Sequence, residues 1–388
     1  MRDADTNGLQ EIKKDLLYVR NVKVLIGIDQ KRIINKMANH YLIKGDSADV
    51  LKKIQDNSIH LAVTSPPYFN AREYSQWETL EHYLKEMKII FKELFRVLDN
   101  HRVFVLNVGD VQCKLGTQPW TLRRVPLGAL FTTMCQEIGF EYVDDYIWDK
   151  GEPQSYRHMN GVTKYPFYHY PINSYEHILI FHKHVLDKTR LPCPICGSIH
   201  VQNNSQQEIN VQSWECNNEK CTQRSEGNRG KRYSARSIMM QEGQIKENEI
   251  EESLKKKWRK DIVAFSPVIK IIGNKNVVGH TAPFPEDIPE MAIKFFTYKG
   301  DTILDPFAGS FTSSLVAMKT GRHSVGIEIN KDYIGVGKKR LNNFNKQKRL
   351  GEEEKNNIIY LDKEDLSKLK LEKSKIFDKE TYLKERTK

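Results

Sequence analysis

Residues 301–310 read DTILDPFAGS, and residues 323–330 read HSVGIEIN. The first stretch is a short apolar run that breaks into a turn of small residues; the second is another apolar run that ends on an acid. With the residues between them they spell strand, glycine-containing turn, helix and strand, the repeating unit of a parallel sheet covered by helices. Such a turn lets backbone N–H groups approach a ligand closely, and the N-terminus of the helix that it opens favours an anionic group. An acid about 20 positions further on, here Glu328, can accept both hydroxyls of a ribose. No lysine follows the turn as a phosphate-cradling loop requires, and the three-glycine dinucleotide pattern is absent. The ligand expected at Asp305, Pro306, Phe307, Ala308, Gly309, Ser310 and Glu328 therefore has a ribose and a carboxylate but no essential phosphate. S-adenosylmethionine fits that description.

Upstream the same rhythm recurs. VKVLIGI (22–28), HYLIKGD (40–46), SIHLAVTSPPY (58–68), HRVFVLNVGD (101–110), FEYVDDYIW (140–148) and EHILIFHK (176–183) read as strands. Between them, Leu80, Tyr83, Leu84, Met87, Ile90, Phe91, Leu94, Phe95 and Leu98 fall at helical spacing and predict an amphipathic helix over 77–98. A second helix is expected over 126–138. Strands alternating with helices imply a Rossmann-like α/β fold, a mostly parallel sheet with helices on both faces. Residues 185–262 break the rhythm, being polar and rich in Asn, Gln, Lys and Arg. The expected division is an N-terminal arm (1–41), a first half of the sheet domain (42–184), an inserted module (185–262), a second half (263–345) and a charged C-terminal tail (346–388). A short strand at NIIYL (357–361) lies within that tail.

A net charge of +11 and a pI near 9.1 favour a polyanionic partner, nucleic acid first, although lysine-rich stretches can equally serve to solvate the chain. Mean hydropathy is −0.60 and no apolar run approaches the ~18 residues of a membrane span, so no membrane partner is expected. The N-terminal MRDADTNGLQEIKK lacks the layout of a signal peptide, which sets the expectation of a cytoplasmic protein.

The second chemical signal is Thr64-Ser65-Pro66-Pro67-Tyr68, at the C-terminal end of an apolar strand, where open α/β sheets place their ligand crevice. Two consecutive prolines fix φ and remove two donors, which favours outward presentation of the carbonyls of Ser65 and Pro66. That suits an amine substrate. The lone pair of an aromatic amine is delocalised into its ring, so its N–H groups need acceptors that draw the nitrogen towards a tetrahedral shape. The Ser65 hydroxyl and the Pro66 carbonyl supply them, Pro67 completes the turn, and the ring of Tyr68 can stack on a base.

Of the six cysteines, Cys193, Cys196, Cys216 and Cys221 cluster as two pairs at zinc-ribbon spacing, with His200 a weaker ligand candidate. Cys113 and Cys135 stand alone in apolar surroundings. This distribution predicts structural zinc rather than a disulfide framework. The His-x-Glu of a zinc deaminase is not found upstream.

The two turns together resemble the β-class amino-methyltransferases of bacterial restriction-modification systems, whose amine-methylating motif precedes the cofactor motif with the target-recognition segment between them. The resemblance spans roughly residues 41–345. It implies a class I methyltransferase fold whose first half is catalytic and whose second half binds S-adenosylmethionine. It further implies double-stranded DNA as substrate, a base flipped out of the duplex, and a cognate restriction endonuclease as a partner. Asp46 matches an acid near the cofactor's adenosine, and Pro283, Phe284 and Pro285 match a segment over its methionine end. EHILIFHK resembles the strand near the flipped base. The insert takes the place of the recognition region, a zinc-ribbon-like module followed by KRYSARS (231–237) and KKKWRK (255–260). There basic residues sit beside Tyr233 and Trp258, and Arg224, Arg229 or Arg236 could read a guanine edge. Ser65 at the first motif position accompanies cytosine N4 in this family, with adenine N6 the alternative. C5 chemistry would need a cysteine nucleophile in a Pro-Cys context, whereas Cys113 follows Gln112 and Cys135 follows Met134. One departure is Phe311, where the family carries a second glycine; an inactive core in a zinc-ribbon nucleic-acid-binding protein is the reading that this departure leaves open.

Overall fold

The strands expected from the apolar runs assemble into one nine-stranded sheet. In chain order they are β1 (Asn39–Lys44), β2 (Ile59–Thr64), β3 (Leu98–Val108), β4 (Phe140–Asp149), β5 (Tyr175–Lys183), β6 (Ile262–Ala264), β7 (Thr302–Asp305), β8 (His323–Glu328) and β9 (Asn357–Asp362). Across the sheet they lie in the order β6-β4-β5-β3-β2-β7-β8-β1-β9. β5 runs antiparallel to β3 and β4, and every other pairing is parallel. The computed structural model describes residues 37–71, 76–114, 122–151, 173–206, 211–221, 232–242, 248–265, 271–272, 275–276, 285–348, 356–371 and 377–386. VKVLIGI lies outside them.

Side-chain alternation along the strands builds two cores. Phe104, Leu106 and Leu304 point to one face, where α2 (Leu80–Val97) and α3 (Leu127–Ile138) contribute Tyr83, Phe91, Leu94 and Phe131. Val103, Val105 and Ile303 point to the other, where α4 (Asp287–Phe296) and α5 (Thr312–Lys319) contribute Ile288, Met291, Ala292 and Val316. The central strands β2 and β7 are buried at every residue, which is why they read as continuous apolar runs. α2 begins later than its apolar spacing suggests because Thr79 caps it, its hydroxyl accepting from the His82 N–H at 3.1 Å. Burying a ring such as Phe91 stabilises the fold by about 2–3 kcal/mol.

Two regions differ from the expectation. In the stretch 185–262, a three-stranded antiparallel sheet (Val201–Gln206, Gln212–Cys216, Arg232–Tyr233) and the helix Ala235–Glu242 form a small separate unit. The end of that stretch joins the large sheet: Leu254 and Trp258, with Val263 just beyond, pack into its second core, and β6 forms its edge. Trp258 and Tyr233 are therefore buried core rings instead of aromatics offered to nucleic acid beside the basic residues. The segment expected as a charged tail supplies β9, paired with β1, and a helix (Lys379–Arg386) whose Tyr382 joins the core of the small unit. Among the described residues no helix is long and apolar enough to cross a membrane.

Candidate active site

β2 and β7 are neighbours in register, with Leu61 opposite Ile303 and Ala62 opposite Leu304. The two turns singled out in the sequence, separated by more than 200 residues, consequently leave the sheet side by side. Asp305 locks them together. Its carboxylate accepts the Thr64 hydroxyl at 2.6 Å, the Ser313 hydroxyl at 2.6 Å and the Phe307 N–H at 3.1 Å. Burial pushes the Asp305 carboxyl up to about 6, while those three donors pull the other way. The Ser47 hydroxyl, at the start of α1 (Ser47–Leu51), donates to the Pro306 carbonyl and brings β1's end to the same place.

A cavity of about 580 Å³ opens between these strand ends. Ser65, Pro66, Pro67 and Tyr68 line one side; Pro306, Phe307, Ala308, Gly309, Ser310, Glu328 and Asp46 line the other. Asp305 is buried behind the wall, and Pro285 is likewise off it, its carbonyl accepting the Ile288 N–H at the start of α4. Pro283 and Phe284 lie outside the described residues. On the second side, Glu328 accepts the Gly309 N–H and the Asn330 N–H, both at 2.8 Å, and burial raises its carboxyl above the usual range. Asp46 caps α1 through the Ala48 N–H at 2.8 Å. The backbone turn, the two acids and the apolar Phe307, Ile327 and Ile329 suit a nucleoside with an attached carboxylate.

On the first side, the Ser65 and Tyr68 hydroxyl oxygens lie 3.2 Å apart, and Tyr68 donates to Glu176 Oε2 at 2.9 Å. The same oxygen accepts Asn107 Nδ2 at 3.0 Å, and Lys150 pairs with Glu176 Oε1. Burial and the Glu176 charge raise Tyr68 well above the ordinary phenol range, so it stays protonated. The Pro67 carbonyl accepts the Tyr83 hydroxyl at 3.0 Å, whereas among the described residues the Pro66 carbonyl carries no hydrogen bond. Ser65 and Pro66, both in the cavity lining, thus retain acceptors.

Phe311 adopts the left-handed conformation, φ 61°, that a glycine takes more readily. Its ring is fully buried with Leu42, Leu315, Ile334 and Leu341, away from the cavity. Two glycines make that possible, since a Cβ on Gly326 or Gly337 would come within 2.6 or 2.2 Å of the ring. The departure at Phe311 therefore leaves the cavity wall intact.

Away from this site, the Sγ atoms of Cys193, Cys196, Cys216 and Cys221 all lie within 4.8 Å of one another. Cys193 and Cys221 are 3.9 Å apart, Cys196 and Cys216 3.6 Å. A tetrahedron of Zn–S bonds of ~2.3 Å sets S···S separations of about 3.8 Å, so the set fits zinc. His200 is exposed and stands outside this group.

A family model described as DNA methylase, covering N6 and N4 enzymes, matches residues 59–339. The chain belongs to the DNA methylase family. It is 37% identical over 351 residues to the type II beta methyltransferase M.BslI of a Bacillus species. That match covers 86% of this chain and 32% of the relative, so this methylase spans about a third of that relative's length. It is 26% identical to the type II methyltransferase M.MjaI of Methanocaldococcus jannaschii, covering 82% of this chain and 95% of the relative. Among solved structures, a DNA modification methylase of Thermus thermophilus, TTHA0409, crystallised with S-adenosyl-L-methionine, shares the fold. Its TM-score is 0.51 at 22% identity, over 82% of this chain and 99% of that one.

Sequence reasoning missed Glu176, Asn107, Lys150 and Ser47. Glu176 opens EHILIFHK, Asn107 is the polar residue in an otherwise apolar strand end, and Lys150 follows β4. A polar residue at the end of a buried strand is the available signal; which strands adjoin is what gives it meaning.

Proposed function

We propose that this chain transfers a methyl group from S-adenosylmethionine to the exocyclic N4 amine of cytosine in double-stranded DNA, within a restriction-modification or related system alongside a cognate endonuclease. The observation that carries this reading is the union of both turns in one cavity, bolted by the Thr64–Asp305 hydrogen bond. When bound, S-adenosylmethionine supplies a methyl group on a positively charged sulfur, reactive enough for direct attack by an amine. Residues 306–310, Glu328 and Asp46 hold the ribose and the carboxylate end. Ser65 Oγ and the Pro66 carbonyl accept the two amine hydrogens, pulling the nitrogen lone pair out of the ring and towards the methyl carbon. Tyr68, fixed by Glu176, presents its ring to the base. Rate comes chiefly from this positioning. The target base is out of reach inside a duplex and is flipped into the cavity.

Zinc bound by Cys193, Cys196, Cys216 and Cys221 supports a recognition module whose basic residues, Arg236 among them, contact DNA. Arg224 and Arg229 lie outside the described residues. Four converging thiols in a unit with a small core support this reading.

Incubating the protein with labelled S-adenosylmethionine and mixed-sequence DNA, then digesting to nucleosides, tests the reaction. N4-methylcytosine is the expected product, with Ser65→Ala lowering the rate by about 100-fold, the scale of losing one preorganised hydrogen-bond partner. N6-methyladenine would overturn the choice of base, and absence of any transfer would overturn the activity.

A further inference from the structure

A second ligand cluster sits at the end of β4 and β5 opposite to the one that lines the methylase cavity. Glu141 is the second residue of β4, His182 lies near the end of the antiparallel β5 directly across from it, and His184 follows the strand's last residue. His184 Nε2 is 3.2 Å from His182 Nδ1 and 3.2 Å from Glu141 Oε2, and the three ligand atoms all lie within 4.8 Å of one another. Ligands held at ~2.0–2.2 Å in a tetrahedron are about 3.3–3.6 Å apart, so these separations suit one zinc-class cation.

Hydrogen bonding alone satisfies this arrangement poorly. A neutral imidazole carries one N–H and one lone pair, and an ionised carboxylate only accepts. His184 Nε2 therefore cannot serve both neighbours well: if it donates to Glu141, it has no lone pair left for His182. A cation takes one lone pair from each of the three atoms. The other side of His184 is prepared for this, because its Nδ1 lies 3.3 Å from His101 Nδ1. Donation from His184 Nδ1 to His101 leaves the Nε2 lone pair free, the orienting contact usual behind a metal-bound histidine.

Charged groups reach the cluster from several packed elements. Lys183 turns away, its ammonium donating to the Leu98 carbonyl at 2.6 Å and Asn57 Oδ1 at 2.8 Å. Asp187 pairs with Lys379. Arg236, on the Ala235–Glu242 helix, is the cation whose field reaches all three histidines and Glu141, and it weakens the site without occupying it.

We propose that Glu141, His182 and His184 bind a divalent zinc-class cation, with a water in the fourth position and His101 orienting His184. His184 lies just past β5, where the chain heads for the cysteine-bearing unit, so the ion would pin that connection to the ends of β4 and β5. Metal analysis of the full chain, stripped and then titrated with cobalt(II) under reducing conditions, tests this. One bound equivalent is expected with d–d bands but no thiolate-to-cobalt charge transfer, separate from any equivalent that shows such transfer. Glu141→Gln and His182→Gln should each abolish the thiolate-free equivalent and leave the thiolate band unchanged. Glu141 is partly exposed, so its variant tests the site even where His182→Gln disturbs folding. No thiolate-free equivalent in the parent, or an equivalent indifferent to both substitutions, overturns the proposal.

Discussion

The large sheet and the small cysteine-bearing unit reach their folds by different routes. In the sheet, every central residue of β2 and β7 is buried and helices cover both faces, so apolar burial suffices. The small unit has Leu191, Val201, Trp214, Tyr233 and Ile238, adds Tyr382 from near the chain's end, and pairs one strand of only two residues. A core of that size rarely holds a fold without a staple, and four converging thiols are the staple available. The methylase cavity lies in the self-sufficient part, and the proposed recognition module in the part that offers an ion four thiols and borrows a side chain.

Removing metal should widen this difference most. Chelation under reducing conditions is expected to strip hydrogen-exchange protection from Val201–Gln206 and Gln212–Cys216 while β2 and β7 keep theirs, because structural zinc binding contributes about 10 kcal/mol or more to such modules. Equal loss in both regions, or none in either, would contradict the contrast.

Gly337→Ala attacks the sheet alone. The new Cβ would meet the Phe311 ring at 2.2 Å, and overpacking of that severity costs about 3 kcal/mol in chemical denaturation. Phe311→Gly relieves left-handed strain of about 1 kcal/mol but empties a ring-sized site, so alone it should also destabilise. In a double-mutant cycle Phe311→Gly should rescue most of the Gly337→Ala loss; additive effects would show that the ring and the glycine are not coupled.

Next in size is a pH effect confined to the sheet. Asp305 has its folded value raised to about 6 from 3.8. Between those values the folded state holds a proton that the unfolded chain has released, so its contribution is complete below about 4 and is lost as pH rises through about 6. Relative to Asp305→Asn, the parent should gain roughly 2–3 kcal/mol as pH falls from 7 to 4. A difference that is flat across that range, measured by denaturant midpoints, would show that the carboxyl does not titrate this way.

The smallest expected effect concerns the borrowed residue. Tyr382→Phe removes a hydroxyl that donates to the Pro192 carbonyl at 2.8 Å and should destabilise the small unit by about 1 kcal/mol, leaving β7 untouched. Exchange rates in Gln212–Cys216 provide the measurement, and an unchanged rate would mean that the chain's end only rests there.

Both turns, Glu328 and the cysteine set stand out in the sequence because each is a local pattern, an apolar run, its break, and residue types suited to a ligand, whereas Asp46 stands out only by the resemblance. β3, β4 and β5 were legible for the same reason. Glu176 and Lys150 were not, since a polar residue at a strand end gains meaning only from strand order; β5 inserts between β3 and β4 and brings them to Tyr68. Residues 346–388 read as a tail because alternating charges hide the one face of β9 and of Tyr382 that packs.

The sequence by itself determined most strands of the large sheet, the strand ends proposed to carry chemistry, and the four thiols. Tertiary structure alone decided that Thr64 reaches Asp305, that the Phe311 ring turns into the core, and that Glu141, His182 and His184 converge. Periodicity along a chain reports which side of an element is buried, whereas a site is a relation between elements, fixed only when strand order and register place them side by side.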